Sequence, residues 1–326
     1  MKKAFRSLSL LIILLVSNYS AYCWGFYAHQ KINYYAVFLL PPEMMVLFKP
    51  NISFLSEHAI DPDKRRYAVP DEGPRHYIDI DHYGEYPYPD LPRKWTDAVE
   101  KFGEDSLKQF GIVPWHVQTM LHRLTDAFKA KNFSLIMKYA AEIGHYLADA
   151  HVPLHASSNH NGQLTNQKGI HGFWESRVPE LLAEKEFDFF IGKAEYIQNP
   201  GDFIWKRVLE SAKAADSVLS YERELTLKFS DDQKYSFEER NGRTIRQYSS
   251  AFTIAYNKKL DGMIERRMRQ SIFAIASFWY TAWVNAGQPD LKQLVTQKFS
   301  EADIKEFENL NKQWSSGGKM IGREEQ

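Results

Sequence analysis

The sequence predicts an all-α protein with a single folded domain. Residues 133–150 carry apolar side chains three and four positions apart, which is the periodicity of a helix with one buried face. Residues 262–285 are largely apolar in their second half but are too few to cross a bilayer, so they predict a core helix. Strand-like alternation is predicted only at residues 76–82, where Asp79 and Asp81 would share one face.

The composition limits both the partners and the kind of site. The chain has 326 residues with 41 basic and 41 acidic side chains, so its formal net charge is zero. This balance argues against a protein that binds nucleic acid mainly through bulk positive charge. The 8 Trp, 18 Tyr and 21 Phe fit a large aromatic core at least as well as an aromatic-lined cleft. Cys23 is the only cysteine, so a metal site must use His, Asp and Glu.

The first 23 residues are predicted to be a removed secretory signal. Basic residues precede an apolar segment at 8–16, and Cys23 is a small residue just before the expected cut. The alternative is a lipoprotein anchored at Cys23, which is disfavoured because the bulky Tyr22 precedes the cysteine. Cleavage would give a secreted or periplasmic protein that begins at Trp24, whose free amine and carbonyl oxygen can chelate a metal. No transmembrane anchor is expected in the mature chain.

Proline and glycine divide the mature chain into helices. The first helix stops before Pro41, and Pro153 ends the helix that holds the strongest apolar stripe. We expect a domain at residues 24–313 and a disordered tail at residues 314–326. The predicted helices are 24–39, 92–112, 114–131, 133–150, one that starts near His171, about 200–230, about 231–260 with an interruption at Asn241-Gly242, and 262–285.

The stretch from His145 to Glu175 concentrates side chains that bind metals. His145 and Asp149 are at i,i+4, and so are His171 and Glu175, so each pair would share one face of a helix. His155 lies between the two pairs. Zinc takes nitrogen and oxygen donors in a compact arrangement, and five donors exceed what one ion needs. The pattern therefore predicts a multinuclear site, against the alternative of an ordinary polar face on the protein's exterior.

A second segment rich in possible donors lies at residues 58–82, among turn-forming prolines and glycines. By pattern alone, most of its charges fit a solvated loop. His29 in the first helix is likewise a lone histidine, for which a core or surface role is the usual one. The possible donors of this segment are His58, Asp61, Asp63, His76, Asp79, Asp81 and His82.

Trp24 with His29, followed by the donors of residues 145–175, resembles the superfamily of zinc-dependent phospholipase C and S1/P1 nuclease. The resemblance covers most of the mature chain. It implies an all-helical fold in which three zinc ions lie in a cleft. The implied ligands are Asp61, His76, His145 and Asp149 for one zinc, His155, His171 and Glu175 for a second, and the Trp24 amine and carbonyl, His29 and Asp149 for the third.

The resemblance also implies roles within this ligand set. Asp61 is preferred as the partner of His76 because its separation of 15 residues matches the family. Asp149 would bridge two ions, and His151 falls where the family has no ligand. Clustered zinc lowers the pKa of bound water towards about 7 and neutralises charge on phosphoryl oxygens. The resemblance thus implies hydrolysis of phosphate esters with Asp149 and Asp61 as catalytic residues, Asp61 orienting the nucleophile or accepting its proton.

The sequence features divide between two substrate classes, which are phospholipids and single-stranded nucleic acid or nucleotides. Glu175 in place of Asp, and Asn159 after the third ligand, resemble the phospholipases, whereas the spacing from Trp24 to His29 resembles the nucleases. The Gly-Gly-Asn motif of the nucleases has only a poor counterpart at Asn161. A phospholipase C-like activity is slightly preferred over an S1/P1-type single-strand nuclease or 3'-nucleotidase. A secreted zinc-binding helical protein without turnover is the non-enzymatic alternative. No stable protein partner is implied, and no substrate-binding residue is predicted.

Overall fold

The structure, a computed structural model, describes residues 25–240, 243–317 and 320–321, and the predicted signal peptide and Trp24 lie outside them. The described part is mainly helical with one two-stranded sheet, which confirms the all-α prediction. The helices are α1 (Phe26–Ala36), α2 (Pro42–Phe48), α3 (Ile52–Glu57), α4 (Asp61–Arg65), α5 (Trp95–Phe102), α6 (Glu104–Phe110), α7 (Val113–Lys129), α8 (Phe133–Asp149), α9 (Ile170–Gly172), α10 (Val178–Glu186), α11 (Pro200–Thr226), α12 (Asp231–Lys234), α13 (Ser250–Lys259), α14 (Met263–Asn285) and α15 (Glu301–Ser315).

Shorter elements connect these helices, and a π-helix links α9 to α10. None of the described helices is long and apolar enough to cross a membrane. The strands are β1 (Tyr235–Arg240) and β2 (Arg243–Tyr248), which pair in antiparallel fashion. The 3₁₀ turns are Val37–Leu39, His58–Ile60, Gly73–Arg75, Ile80–Tyr83, Pro153–Ala156 and Lys292–Leu294, and the π-helix is Phe173–Arg177.

The second half of helix α8 is enclosed on all sides. The helix starts at the cap residue Asn132, whose side chain accepts a hydrogen bond from the backbone N–H of Leu135 at 3.1 Å. Helices α1, α3, α7 and α14 pack against it, and Trp279 of α14 donates its indole N–H to the Ala140 carbonyl at 2.9 Å. Every residue from 140 to 150 is buried. The polar side of α8 therefore faces the protein interior, which excludes the exterior-face interpretation of its histidine and carboxylate.

Helix α1 lies close to α8 because Gly144 has no side chain. A Cβ atom at position 144 would lie 2.1 Å from Asn33 Oδ1. The Asn33 amide donates to the carbonyls of Leu55 and Ala141, each at 3.0 Å, and so joins α1 to α3 and α8. This approach stacks the ring of His29 on that of His145 with 3.9 Å between centroids.

The helix predicted for residues 231–260 is wrong over 235–248, where the chain forms the β1–β2 hairpin. Tyr235 pairs with Tyr248, and Tyr248 stacks on Phe173 at 3.8 Å between ring centroids. The sequence does carry the hairpin signal, because Asn-Gly between two β-prone runs favours a tight turn. The Asn241-Gly242 pair itself lies outside the described residues. Reading it as an interruption of a helix was the error.

The strand predicted at residues 76–82 is also absent from the described structure. The backbone N–H of Ile78 bonds to the His155 carbonyl at 2.9 Å, and that of Asp79 bonds to the Phe110 carbonyl at 2.7 Å. The chain then turns into a 3₁₀ turn at Ile80–Tyr83. These backbone groups are therefore satisfied by the Pro153–Ala156 turn and by the last residue of α6, and not by the hydrogen bonds of a neighbouring strand.

Two predicted boundaries differ from the observed ones. The helix predicted at 92–112 is divided at Gly103, whose φ of 78° ends α5 before α6 begins. The tail predicted to start at residue 314 begins inside α15, which continues to Ser315. Further along, the Ile321 N–H donates to the Arg66 carbonyl at 2.8 Å. The end of the described chain thus lies against α4.

Candidate metal centre

Helix α8 supplies the first two donors, His145 and Asp149. The Nδ1–H of His145 donates to the Ala59 carbonyl at 2.8 Å, and because a carbonyl only accepts, Nε2 is left as a lone-pair donor. That Nε2 lies 3.2 Å from Asp149 Oδ2, and both side chains are fully buried. The i,i+4 spacing therefore places the two side chains on one face, as predicted.

His76 meets this pair from the end of the Gly73–Arg75 turn. Its Nδ1 lies 3.0 Å from Asp149 Oδ2 and 3.0 Å from His145 Nε2. Asp63 completes the group, with Oδ1 3.7 Å from His76 Nδ1 and 3.6 Å from His145 Nε2. One donor atom each of Asp63, His76 and His145 lie within 4.8 Å of one another. This arrangement is the one expected of side chains that could bind one metal ion together.

Asp63, and not Asp61, occupies the carboxylate position beside His76. The oxygens of Asp61 are used elsewhere, 2.6 Å from His58 Nδ1 and 2.9 Å from Lys64 Nζ. The two aspartates stand two residues apart on α4, so their side chains point about 200° apart around the helix axis. Asp63, rather than the predicted Asp61, therefore lies in the described group of donors that could hold a metal ion.

Asp81 and His82, two other possible donors of residues 58–82, have contacts outside the donor groups. Asp81 accepts hydrogen bonds from the backbone and hydroxyl of Ser158 at 3.0 and 2.9 Å. His82 stacks on Phe110 with ring centroids 3.4 Å apart. These residues order the loop around the centre, and none of them belongs to the described donor groups.

A second group contains His155, His171 and Glu175. His155 lies on the Pro153–Ala156 turn, and its Nδ1–H donates to the His76 carbonyl at 2.6 Å. Its Nε2 lies 3.6 Å from Glu175 Oε2, and His171 Nε2 lies 3.0 Å from the same oxygen. His171 and Glu175 stand on either side of the junction between α9 and the π-helix. The structure brings together the three residues that the sequence grouped.

A third group forms where α1 meets α8. His29 Nε2 lies 3.4 Å from Asp149 Oδ1, and His29, His145 and Asp149 form a group of donors. The same Asp149 oxygen lies 3.8 Å from His155 Nδ1. The two oxygens of Asp149 therefore face different histidines, Oδ2 towards His76 and His145 and Oδ1 towards His29. The predicted third donor of this group, Trp24, lies outside the described residues.

Comparison with known proteins adds no assignment to this geometry. No family model matches the chain, and no curated protein matches it. What the centre can do must therefore be argued from its own donors.

The donors fit a bound metal ion in spacing and in chemistry. Zinc bonds of 2.0–2.2 Å in tetrahedral geometry separate ligand atoms by roughly 3.3–3.6 Å. The pairs of donor atoms measured above within the cluster range from 3.0 to 3.8 Å, and the donor atoms of each group all lie within 4.8 Å of one another. Several buried donor atoms have no hydrogen-bond partner among the described residues, and such atoms are costly unless a cation meets them. They are His29 Nε2, Asp63 Oδ1 and Oδ2, Asp149 Oδ1 and His155 Nε2.

The pKa values of the side chains in the centre are shifted in different directions. Burial, with the adjacent His145, lowers the pKa of His29 to about 3. Burial also opposes the charged form of His76, but the hydrogen bond to Asp149 at 3.0 Å and the nearby carboxylate of Glu72 raise its pKa to about 9. Burial raises the pKa of Asp63 to about 6. Metal binding would therefore displace a proton from His76, as expected where ligands must be deprotonated.

Asn161 supports the second group in a way that the sequence interpretation missed. Its Oδ1 accepts the backbone N–H of Gly169 at 2.9 Å and that of His171 at 3.4 Å, which fixes the start of α9. Gly162 allows the loop to fold this tightly, because a Cβ there would lie 2.6 Å from Gln167 and φ is 69°. The Asn161-Gly162 pair is the sequence signal for this tight turn, and a comparison with the Gly-Gly-Asn motif alone does not reveal it.

Proposed function

We propose that this protein is a zinc-dependent hydrolase of phosphate esters with the helical fold of the phospholipase C and S1/P1 nuclease superfamily. The observation that carries the proposal is the position of Asp149, whose two oxygens face different histidines at 3.0 and 3.4 Å. A carboxylate placed in this way suits two neighbouring cations. The i,i+4 histidine–carboxylate pairs and the histidine tautomers support the same assignment.

The donor groups divide into three sites. The third would be completed by the Trp24 amine after export and cleavage, which N-terminal sequencing of the secreted protein tests. Clustered zinc ions supply a neutral-pH nucleophile and neutralise charge on phosphoryl oxygens. The residues proposed to hold the ions are Asp63, His76, His145 and Asp149 for the first, His155, His171 and Glu175 for the second, and His29, Asp149 and Trp24 for the third.

The chain's own residues orient and shield the centre. The carbonyls of Ala59 and His76 fix the protons of His145 and His155 on Nδ1, so that each Nε2 points at the donor groups. Full burial of Asp149 keeps bulk water from its oxygens. Both effects strengthen interactions with cations, because charges interact more strongly where water is excluded.

A groove beside the centre offers a place for substrate. It has a volume of about 550 Å³ and is lined by Tyr77, which follows His76, and by His160, whose ring centroid is 6.4 Å from that of His171. Lys108 adds a cationic side chain, and Phe110 adds an apolar wall. Asp79 also lines the groove, and Lys108 forms an ion pair with Glu104 at 2.9 Å, so bound cations would have to supply most of the positive charge that a phosphate ester needs.

Asp149→Ala should abolish hydrolysis of bis-p-nitrophenyl phosphate, with a loss of at least about 100-fold, because the substitution removes a ligand shared by two ions. Metal counting by mass spectrometry should show two ions fewer than in the wild type. Asp126→Ala, at an exposed residue paired only with Lys129, is the control and should keep full activity. An Asp149→Ala protein that still holds three ions would refute the shared ligand.

Chelator-sensitive turnover separates an enzyme from a metal-binding protein without activity. Bound zinc with no release of p-nitrophenol would favour the latter. Among enzymes, phosphatidylcholine and single-stranded nucleic acid should be assayed side by side with a 3'-nucleotide. Turnover of the phospholipid is the expected result, and turnover of only the nucleic acid or nucleotide would assign the nuclease-like activity instead.

A further inference from the structure

Glu72 lies on the far side of the His76 ring from the metal donors. Its side chain is fully buried, and its Oε1 is 3.6 Å from His76 Nε2, an ion-pair distance that is longer than a hydrogen bond, while Nε2 has no hydrogen-bond partner among the described residues. The other ring nitrogen, Nδ1, is the one that faces Asp149 and His145 at 3.0 Å. The imidazole is thus placed between a single carboxylate on one edge and the donor group on the other.

The Glu72 carboxylate is itself held by three donors. The Tyr146 hydroxyl donates to Oε1, while Arg65 Nε and Arg75 Nη1 donate to Oε2 at 3.1 and 2.7 Å. Arg65 also binds Glu142 Oε1 at 2.7 Å. These bonds keep the buried carboxylate ionised and prevent it from rotating away from His76.

We propose that Glu72 is a positioning residue that keeps the His76 proton on Nε2 and so presents the Nδ1 lone pair to a metal ion. The proposal rests on the proposed metal centre. Histidine ligands commonly donate their second N–H to a carboxylate or carbonyl, which fixes the tautomer and makes the metal-binding nitrogen more basic. His145 and His155 use the carbonyls of Ala59 and His76 for this purpose. A carboxylate adds negative charge, so Glu72 strengthens one site selectively.

The test measures metal retention rather than activity. The wild type and Glu72→Gln are dialysed against increasing chelator concentrations, and zinc is counted by mass spectrometry. Loss of a partner behind a histidine ligand typically lowers metal affinity by 10- to 100-fold. We expect Glu72→Gln to release one equivalent of zinc at about that much lower chelator strength and to retain the others.

Two further variants separate positioning from folding. Glu142→Gln is the matched control, since Glu142 binds the same Arg65 and has no described contact with His76, and it should retain zinc as the wild type does. Tyr146→Phe keeps the ring but removes the hydroxyl that donates to Glu72, so it should give a smaller loss. Nitrogen-15 NMR of the His76 ring should show a proton on Nε2 in the wild type and mixed tautomers in Glu72→Gln.

The outcomes are distinct. If the wild type binds zinc and Glu72→Gln retains it equally well, the role of Glu72 is overturned but the metal centre stands. Equal losses in Glu72→Gln and Glu142→Gln would also overturn it, because the cause would then be disruption around Arg65. A wild type that binds no zinc would refute the proposed function and, with it, the positioning role.

Discussion

Two buried polar clusters lie back to back in this protein and satisfy their charges differently. The balanced network consists of Glu72, Glu142, Arg65, Arg75 and Tyr146, in which guanidinium and hydroxyl groups donate to the carboxylates. The donor cluster consists of the three donor groups described above. Its Asp63 and Asp149 make their described ion-pair contacts with histidines, and the buried Arg66 adds its charge near Asp63.

The difference shows why only one of the clusters calls for an ion. Burying a carboxylate costs free energy unless an opposite charge and hydrogen bonds compensate it. Arg65 and Arg75 provide that compensation within the balanced network. In the donor cluster, oxygens of Asp63 and Asp149 and ring nitrogens of His29 and His155 have no hydrogen-bond partner within the described part of the chain, and a divalent cation is a group that could meet them. His76 belongs to the donor cluster and borders the balanced network, so it connects the two.

The strongest test of this difference between the clusters is to substitute each of the two aspartates of α4 separately. Asp63→Asn should remove zinc from the His76 site and lower hydrolysis at least about 100-fold, because the donor cluster loses a carboxylate ligand. Asp61→Asn should keep all its zinc and lose only about 1–3 kcal/mol of stability, since it weakens bonds to His58 and Lys64. Metal counting and thermal unfolding of both variants measure these effects. Zinc loss in Asp61→Asn alone would restore the family-based assignment.

His151 is a buried histidine outside the donor groups, so it tests how a buried polar side chain behaves where no metal ion is expected. Burial lowers its pKa to about 3, and Nδ1 bonds to the Leu147 carbonyl at 2.7 Å. Because the unfolded value is about 6.5, its contribution to stability is complete above pH 6.5 and is lost as the pH falls towards 3. Relative to His151→Gln, the wild type should lose about 1.4 kcal/mol of unfolding free energy per pH unit in that range.

Denaturant unfolding of both proteins between pH 4 and 8 measures this difference. Above pH 6.5 the His151 imidazole is neutral in both the folded and the unfolded protein, so the stability curves of His151→Gln and the wild type should run parallel there. Parallel curves throughout the acid range would mean that His151 is protonated in the folded protein, and would remove it as an example of a neutral buried histidine.

Local patterns predicted much of this structure, and long-range contacts explain the errors. The apolar stripe of α8 and the i,i+4 pairs were sufficient to group His145 with Asp149 and His171 with Glu175. The choice between Asp61 and Asp63 depends on how a short helix is rotated against α8, which residue spacing does not encode. Likewise, the balanced network joins α4, α8 and the turn before His76, so Glu72 becomes visible only once those segments are packed.

Gly144→Ala should have the smallest effect and tests the approach of α1 to α8. The added methyl would lie 2.1 Å from Asn33 Oδ1, so the helices must separate at a cost of about 1–3 kcal/mol. Since His29 is on α1 and Asp149 is on α8, the zinc at the third site should be released at lower chelator concentration than the others. Thermal unfolding and metal counting measure both effects.

A double-mutant cycle identifies the cause of that loss. Asn33→Ala alone removes hydrogen bonds to Leu55 and Ala141, but it also opens the space that the new methyl needs. If the clash with Asn33 is the reason, the double variant Asn33→Ala/Gly144→Ala should be more stable than the sum of the two single losses predicts, by an amount near 1 kcal/mol. Strictly additive losses would show instead that Gly144 matters through helix propensity or another neighbour, and that the spacing of His29 from Asp149 does not depend on this contact.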